Sequence, residues 1–235
     1  MWGGEFLLCE DRSFIRVGAV KPISMISGDE SVRQAWKSLL CHLVHSGIPS
    51  DDKRAAVVKA AVAGGLNTIK SSSMGRLFDA VSAALGLADY NTYQGRCAML
   101  LENQAALAKR ERKMPTELSF NEEVVETENG SFTFFDPAPL WGKVMGEDKA
   151  AAALGFHEAV IRMVERMAEK TGVETIILSG GCFANRLLLE GCVEALKGKG
   201  HAVYWNQALP PGDGGLAFGQ AWYGMNTCLL YTSPS

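Results

Sequence analysis

The chain has 235 residues, of which 47% are hydrophobic, and it carries a formal net charge of −3 at pH 7. This content supplies a real core for one large domain or two small ones, and the charge does not favour nucleic acid as a partner. The six cysteines form no CxxC pair, which argues against a zinc ribbon, and no stretch reaches 18 apolar residues. We therefore expect a cytoplasmic protein with reduced thiols and no membrane partner.

The first half of the chain begins with strands and continues with helices. Residues 6–23 contain two short apolar runs around a polar segment, which favours a hairpin or two edge strands. From Ser27 the apolar residues recur at helical spacing as far as Gly47, and Ser27 with Glu30 has the pattern of a capping box. A predominantly helical block is then predicted from the patterns at 51–63, 73–87 and 95–112.

The second half changes to an alternating pattern. Asn129 and Gly130 stand between two β-prone runs at 122–135, which predicts a hairpin with a type I′ turn. The last third is expected to be α/β, with a helix at 150–170, a buried strand at 174–178, a helix at 185–197, a strand at 202–205 and a helix from 215. The segment 225–235 does not continue the period of that helix, so we predict a domain at 1–224 and a non-native or disordered tail.

A glycine-rich turn, SGGCFAN, follows the predicted strand at 174–178 and opens a helix. Gly180 and Gly181 would let backbone N–H groups approach a phosphate, and the helix N-terminus would add a partial positive charge. Asn185 could cap that helix or bind a ligand. An ordinary strand-to-helix turn explains the same pattern, because glycine-rich turns are common.

Two further segments are candidates for binding. The turn PPGDGG at 210–215 also follows a strand, so it should leave the same sheet edge. Asp213 could hold a metal ion bound to phosphates or cap the last helix, and the two roles are not exclusive. The serine-rich segment 71–79 enters a helix. Its Asp79 would either complement the helix dipole or accept hydrogen bonds from ribose hydroxyls, and the local pattern leaves both open.

The histidines favour structural roles. His42 and His45 are three residues apart on a predicted helix, but no acidic residue lies nearby in the sequence, and such a pair alone seldom binds a metal ion. His157 is predicted to pack within its helix. Cys182 lies in the first glycine turn, where a small apolar filler is favoured over a reactive thiol.

Five motifs, in this order, resemble the last part of the HypF-type hydrogenase-maturation carbamoyltransferases: WGGEFLL, SSMGRLFDAV, YQGRCAMLLE, LSGGCFANRLLLE and PPGDGGLAFGQA. The resemblance runs from Trp2 to about Gly224. It implies an α/β fold of the actin-like, sugar-kinase-like (ASKHA) type, related to the universal tRNA threonylcarbamoyl-adenosine enzymes. The chain would be one lobe of this fold with a large helical insert, truncated on its N-terminal side.

The resemblance also implies an activity. A separate domain would make carbamoyl-adenylate from carbamoyl phosphate and ATP, and the carbamoyl group would pass to the C-terminal cysteine thiol of an acceptor protein in NiFe-hydrogenase maturation. The missing N-terminal domains would be partners of this chain, which we expect to be inactive alone. A kinase of the same superfold and a non-catalytic nucleotide-binding module are the alternatives.

Carried over by resemblance, the site residues are Asp79 at the ribose, Gly95 against the nucleoside, and Gly180, Gly181 and Asn185 around the phosphate. Asp213 would be a ligand of a divalent metal ion, Mg or Fe, whose other ligands are missing from this chain. No catalytic residue is assigned. Gln94 and Arg96 depart from the Glu and Gln that are usual in the family.

Overall fold

A computed structural model of the protein describes residues 3–10, 13–26, 30–128, 130–145 and 148–227. The chain divides into two compact units, unit 1 up to residue 172 and unit 2 from residue 173, so the predicted domain at 1–224 has an internal boundary. The last helix continues to Thr227, three residues into the segment predicted as a tail. The proposed cap at Ser27, the turn residue Asn129 and residues 228–235 lie outside the described part.

The described residues of unit 1 contain the strands β1 (Glu5–Glu10), β2 (Ser13–Val20), β3 (Ile23–Ile26), β4 (Thr68–Ser71), β5 (Asn121–Thr127) and β6 (Gly130–Asp136). β1 with β2 and β5 with β6 pair antiparallel, which confirms both predicted hairpins. β2 runs parallel to β6, and the sheet order is β1-β2-β6-β5. β3 and β4 form a separate antiparallel pair that no local pattern predicts, since its strands lie far apart in the chain.

The helices of unit 1 are α1 (Glu30–Arg33), α2 (Ala35–His45), α3 (Ala55–Ala63), α4 (Met74–Ala84), α5 (Arg96–Arg110), α6 (Ala138–Val144) and α7 (Lys149–Thr171). The helix predicted from Ser27 is interrupted at Gln34, where φ is −116° and ψ is 81°. α2 ends just before Gly47, whose φ of +68° favours glycine. α6 has only seven residues, too few to show a helical period in the sequence.

The core of unit 1 lies among the helices. α2 packs on α4, and α5 packs on both α4 and α7. Phe78 and Phe156 meet edge to face, with ring centroids 4.9 Å apart. His157 is fully buried beside them, and its Nδ1 lies 2.8 Å from the carbonyl oxygen of Ala153, which confirms a packed histidine. None of the described helices is long and apolar enough to cross a membrane.

Unit 2 contains β7 (Thr175–Leu178), α8 (Arg186–Gly198), β8 (Ala202–Trp205) and α9 (Leu216–Thr227). β7 and β8 are parallel, with Leu178 opposite Trp205. The predicted buried strand at 174–178 is wrong in one respect: Leu178 is buried, but Ile177 is 72% exposed and the opposite Tyr204 is 61% exposed. α8 packs on β8, and side chains alternate across the sheet because successive residues point to opposite faces.

Candidate functional site

The two glycine-containing turns of unit 2 meet at one edge of its sheet. Because β7 and β8 run parallel in register, the segments that follow them start at the same edge. Ser179 Oγ donates a hydrogen bond to Asn206 Oδ1 at 2.9 Å. The Gly180 N–H donates to the Pro211 carbonyl oxygen, also at 2.9 Å. The prediction that both turns leave the same edge is confirmed.

The two glycines of the first turn differ in backbone conformation, and only one of them needs glycine for that reason. Gly180 has φ +103° and ψ 157°, a conformation that is strained for any other residue. Gly181 has no positive φ, and it begins a 3₁₀ turn at Gly181–Ala184. A Cβ built on either glycine would meet no described atom within 4 Å. Internal packing therefore does not explain Gly181, and the space beside its backbone is open to an approaching group.

The second turn gives a contrasting case. A Cβ on Gly215 would lie 2.5 Å from the carbonyl oxygen of Pro210, so close packing within the turn requires glycine there. A Cβ on Gly212 would lie 3.4 Å from the Cα of Gly181, which shows how closely the two turns approach. Gly215 thus has a structural explanation that Gly181 lacks.

Asn185 caps α8. Its Oδ1 accepts a hydrogen bond from the Leu188 N–H at 2.9 Å, and its side chain is buried. This satisfies one of the N–H groups that a helix leaves unpaired at its start. The capping alternative from the sequence is confirmed, and a contact between Asn185 and phosphate stays a prediction.

Asp213 follows Gly212 directly and begins a second 3₁₀ turn, Asp213–Gly215, so it lies beside the first glycine turn. Its side chain is exposed, and the carboxylate forms no ion pair or hydrogen bond with any residue that the structure describes. The described residues contain no group of three or more His, Cys, Asp or Glu side chains suited to a metal ion. Asp213 is therefore suited to supply one ligand of a cation site, and the described residues do not form a complete site around it.

Unit 1 holds the other predicted contacts. Ser73 caps α4, with its Oγ accepting from the Arg76 N–H at 3.4 Å. Asp79 lies two turns into this helix with 1% of its side chain exposed. Arg76 Nη2 lies 2.8 Å from Asp79 Oδ2, an ion pair in which that oxygen has no hydrogen bond. A ribose contact at Asp79 would therefore require the covering side chains to move.

Burial controls the chemistry of this carboxyl group. Removal from water raises the pKa of Asp79 from its ordinary value of 3.8 to about 6, while the charge of Arg76 and a hydrogen bond from Asn91 lower it. Because this pKa lies only slightly below neutral pH, Asp79 is mostly but not completely ionised at neutral pH. Its pKa is sensitive to both partners, because each favours the charged form.

Gly95 lies in the turn that begins α5. Its φ of +77° is left-handed, and a Cβ there would meet no described atom within 4 Å. Two residues later the Cys97 N–H donates to Asn91 Oδ1 at 2.7 Å. Asn91 also lowers the pKa of Asp79, so this side chain, which sequence reasoning missed, lies near both predicted nucleoside residues. Nothing in the local pattern distinguishes Asn91 from an ordinary turn residue.

The paired histidines of α2 have separate environments. His42 is buried, with its ring centroid 5.1 Å from that of Trp141, and burial lowers the pKa of His42 to about 3. His45 Nε2 lies 3.3 Å from Asp136 Oδ1, a partner far away in sequence. Each histidine thus has its own neighbours within the described part of unit 1.

Solved structures define the class of fold. The chain superposes on a crystal structure of full-length HypF in the phosphate- and nucleotide-bound form with a TM-score of 0.81 and 26% identity, over 100% of this chain and 32% of that one. The crystal structure of T. kodakarensis HypF gives a TM-score of 0.73 and 25% identity over 95% and 31%. The protein thus has an ASKHA-type α/β fold.

A family model described as carbamoyltransferase, Kae1-like domain, second subdomain matches residues 1–220, and the chain belongs to this family. Carbamoyltransferase HypF2 of Cupriavidus necator is 30% identical, over 94% of this chain and 31% of that protein. Carbamoyltransferase HypF of Rhodobacter capsulatus is 34% identical, over 94% and 29%. The chain spans about a third of the length of these relatives.

Proposed function

We propose that this chain supplies part of the adenylate site of a carbamoyltransferase that acts in hydrogenase maturation. The observation that carries the proposal is the meeting of the two turns in unit 2, with Gly181 open beside its backbone and the exposed Asp213 next to it. Family membership supports the reaction class. The nucleotide-bound form of a structural relative supports the type of ligand.

The proposed reaction is transfer from carbamoyl-adenylate to the C-terminal cysteine of an acceptor protein. The thiolate sulfur attacks the carbamoyl carbon, a C–S bond forms, and the bond from that carbon to the phosphate oxygen breaks. AMP leaves with the added negative charge on its phosphate, and the thiol proton goes to solvent. The chemistry needs groups that stabilise this departing charge.

The residues of unit 2 are suited to that task. Backbone N–H groups at Gly180 and Gly181 and the N-terminus of α8 would lie against the phosphate, where the helix dipole favours negative charge. Asn185 holds the first turn of α8 through its cap. A divalent ion, Mg or Fe, would neutralise phosphate charge when bound, and Asp213 would be one of its ligands.

The remaining components lie outside this chain. We propose that further domains of a longer protein make the adenylate from carbamoyl phosphate and ATP and complete the site, because the relatives are about three times as long. The cytoplasm is the expected compartment. The five cysteines in the described part are free thiols, as this compartment favours.

The proposal is tested by a matched pair of glycine substitutions. Gly181→Ala and Gly198→Ala each add a methyl group into open space at a residue without positive φ, so neither should disturb the fold. Only Gly181 is in the proposed site. Calorimetric titration with ADP and with a non-hydrolysable carbamoyl-adenylate analogue, in the presence of Mg²⁺, should show about tenfold or greater weakening for Gly181→Ala alone, by loss of close phosphate approach. Equal affinities in the two variants would refute the phosphate assignment.

Binding by itself would not separate a transferase from a kinase or a non-catalytic module. A chimera in which this chain replaces the matching part of the Cupriavidus necator relative can make that distinction. Carbamoylation of the C-terminal cysteine of an acceptor, detected by mass spectrometry and lost in Asp213→Asn, would support the transferase. A folded chimera that binds nucleotide and transfers no carbamoyl group would favour the alternatives.

A further inference from the structure

Several helices of this protein end in the same kind of turn. Of the described helices, α2, α3, α4, α7 and α8 end in a turn that contains a glycine with φ between +61° and +90°: Gly47, Gly65, Gly86, Gly172 and Gly200. At the end of α4, the Gly86 N–H donates to the Ala83 carbonyl oxygen at 2.9 Å. The Leu87 N–H donates to that of Ser82 at 3.0 Å. Glycine is the usual residue here, because a Cβ strains the left-handed conformation.

Helix α5 ends in the same turn but has arginine in place of glycine. Arg112 has φ +54°, and its N–H donates to the Lys109 carbonyl oxygen at 3.2 Å. The Lys113 N–H donates to that of Ala108 at 3.0 Å. The other non-glycine residue with positive φ in the described ranges is Asn67, and asparagine adopts this conformation more readily than arginine. The backbone alone would favour glycine at position 112, so the arginine indicates a role for its side chain.

Contacts within the described part of the chain do not explain the arginine. Three exposed cations at this end of α5 form no side-chain hydrogen bond or ion pair with any described residue: Lys109, Arg110 and Arg112. Lys113 differs, since its Nζ lies 2.7 Å from Asp148 Oδ2. Residues 109–113 contain four cations and one anion, in a chain whose net charge is −3. The end of a helix favours cations, but this does not explain why one of them occupies the strained position.

An apolar side chain adjoins these cations. Met114 is 84% exposed, the highest value among the large apolar side chains that the structure describes. The backbone is held on both sides of it, because the Lys113 N–H bonds to α5 and the Thr116 N–H donates to the Ala151 carbonyl oxygen of α7 at 3.1 Å. Arginine and methionine are both enriched in protein interfaces. A surface on a backbone that is already fixed needs little ordering when a partner binds.

We infer that Lys109, Arg110, Arg112 and Met114, here called the α5 basic surface, form the docking surface for an acidic face of the acceptor protein. The inference rests on the proposed function, in which the acceptor must bind, receive the carbamoyl group and leave. Obligate interfaces are more apolar than transient ones, whereas exposed charges suit a transient partner because they speed association and fix its orientation. The surface lies in unit 1 and has no part in the proposed phosphate turn of unit 2.

Arg112→Gly changes stability and docking in opposite directions. The substitution removes backbone strain, so the Tm should rise by about 2–4 °C. Binding of the purified Cupriavidus necator acceptor protein to this chain, measured by biolayer interferometry, should weaken by about fivefold, as loss of one favourable surface ion pair would give. The difference should decrease between about 0.01 M and about 0.15 M ionic strength, because the Debye length falls from about 30 Å to about 8 Å.

Two further variants separate charge from fold. Arg112→Lys retains a cation at the same strained position, so its affinity for the acceptor should stay within about twofold of the wild type. Lys59→Ala removes an exposed cation of α3 that also forms no ion pair with a described residue. Its affinity should equally stay within about twofold. A loss of affinity in Lys59→Ala as large as in Arg112→Gly would show that only the net charge matters and would overturn the docking surface.

The outcomes distinguish the inference from the function on which it rests. Equal affinities of the wild type and Arg112→Gly, or a wild type that does not bind the acceptor, overturn the docking role. Tighter binding of a duplex DNA probe than of the acceptor, with the same dependence on Arg112, would assign the surface to nucleic acid instead. In the transferase chimera, Arg112→Gly should raise the KM for the acceptor by about fivefold and retain kcat.

Two results in the chimera have separate meanings. Normal transfer with an unchanged KM for the acceptor would show that another domain covers the α5 basic surface, and it would overturn the docking role. Failure of the chimera to transfer any carbamoyl group would refute the proposed function. Acceptor binding that depends on Arg112 would still support the docking surface in that case.

Discussion

Asp79→Asn tests whether a buried carboxylate in α4 costs stability near neutral pH. Asp79 has 1% of its side chain exposed, and burial raises the pKa of this group from 3.8 to about 6. Between these two pH values the folded protein retains a proton that the unfolded chain has lost. Stability linked to the protonated carboxyl is complete below about pH 4 and is lost as the pH rises through 6.

The magnitude follows from the two pKa values. Their difference of about 2 units corresponds to about 3 kcal/mol of unfolding free energy. Asparagine has a similar volume and does not titrate. The free energy of unfolding of Asp79→Asn, relative to the wild type, should therefore increase by about 3 kcal/mol between pH 4 and pH 7. Arg76 loses its ionic partner in the variant, so the change with pH, and not the absolute value, is the measured quantity.

Urea unfolding at pH 4, 5, 6 and 7 provides the assay. An equal slope of the unfolding free energy against urea concentration would show that the same unit unfolds in each variant. Asp148→Asn is the control, because hydrogen bonding to Lys113 lowers the pKa of that carboxyl below its ordinary value of 3.8, so its relative stability should stay nearly constant over this pH range. A pH-independent difference for Asp79→Asn would refute the argument. A positive result would show a stability cost that a binding role can explain.

Two further predictions concern the helical core. Gly155→Ala should destabilise unit 1 by about 2 kcal/mol or more, because the added Cβ would lie 2.0 Å from the Thr116 carbonyl oxygen. Gly142→Ala in α6 is the control: its Cβ meets open space, and the substitution should stabilise the protein by about 0.5 kcal/mol. Equal shifts of the urea midpoint for the two variants would contradict this prediction. Burial lowers the pKa of His157 from 6.5 to about 4, so its contribution of about 3 kcal/mol to stability should be lost as the pH falls through this range. Unfolding measured between pH 7 and 4 should show a shallower pH dependence in folded His157→Gln, and an unchanged profile would exclude His157 as the source.

Much of the fold was predictable because its signals are local. The Asn-Gly pair between β-prone runs indicated the hairpin of β5 and β6, and the helical period at 73–87 indicated α4 to within a few residues. Such patterns depend on backbone geometry that neighbouring residues impose on one another. They contain no information on which distant segment will lie alongside.

The differences all involve distant partners. β3 pairs with β4, although three helices separate the two strands along the chain. The helix predicted from Ser27 is interrupted where Arg76 and Asn91 donate hydrogen bonds to its carbonyl groups. The predicted burial of β7 fails on one face because a strand of apolar residues does not specify whether one or both faces are covered.

The candidate site shows the same division. The two glycine turns, their positions after strands and the family motifs were predictable, since each is a property of contiguous residues. The packing of Gly215 against Pro210, the open space beside Gly181 and the hydrogen bond from Cys97 to Asn91 became visible in the folded chain. Contacts of this kind require atoms from separate segments to meet within hydrogen-bonding or van der Waals distance, and the packing of the helices and strands sets those distances.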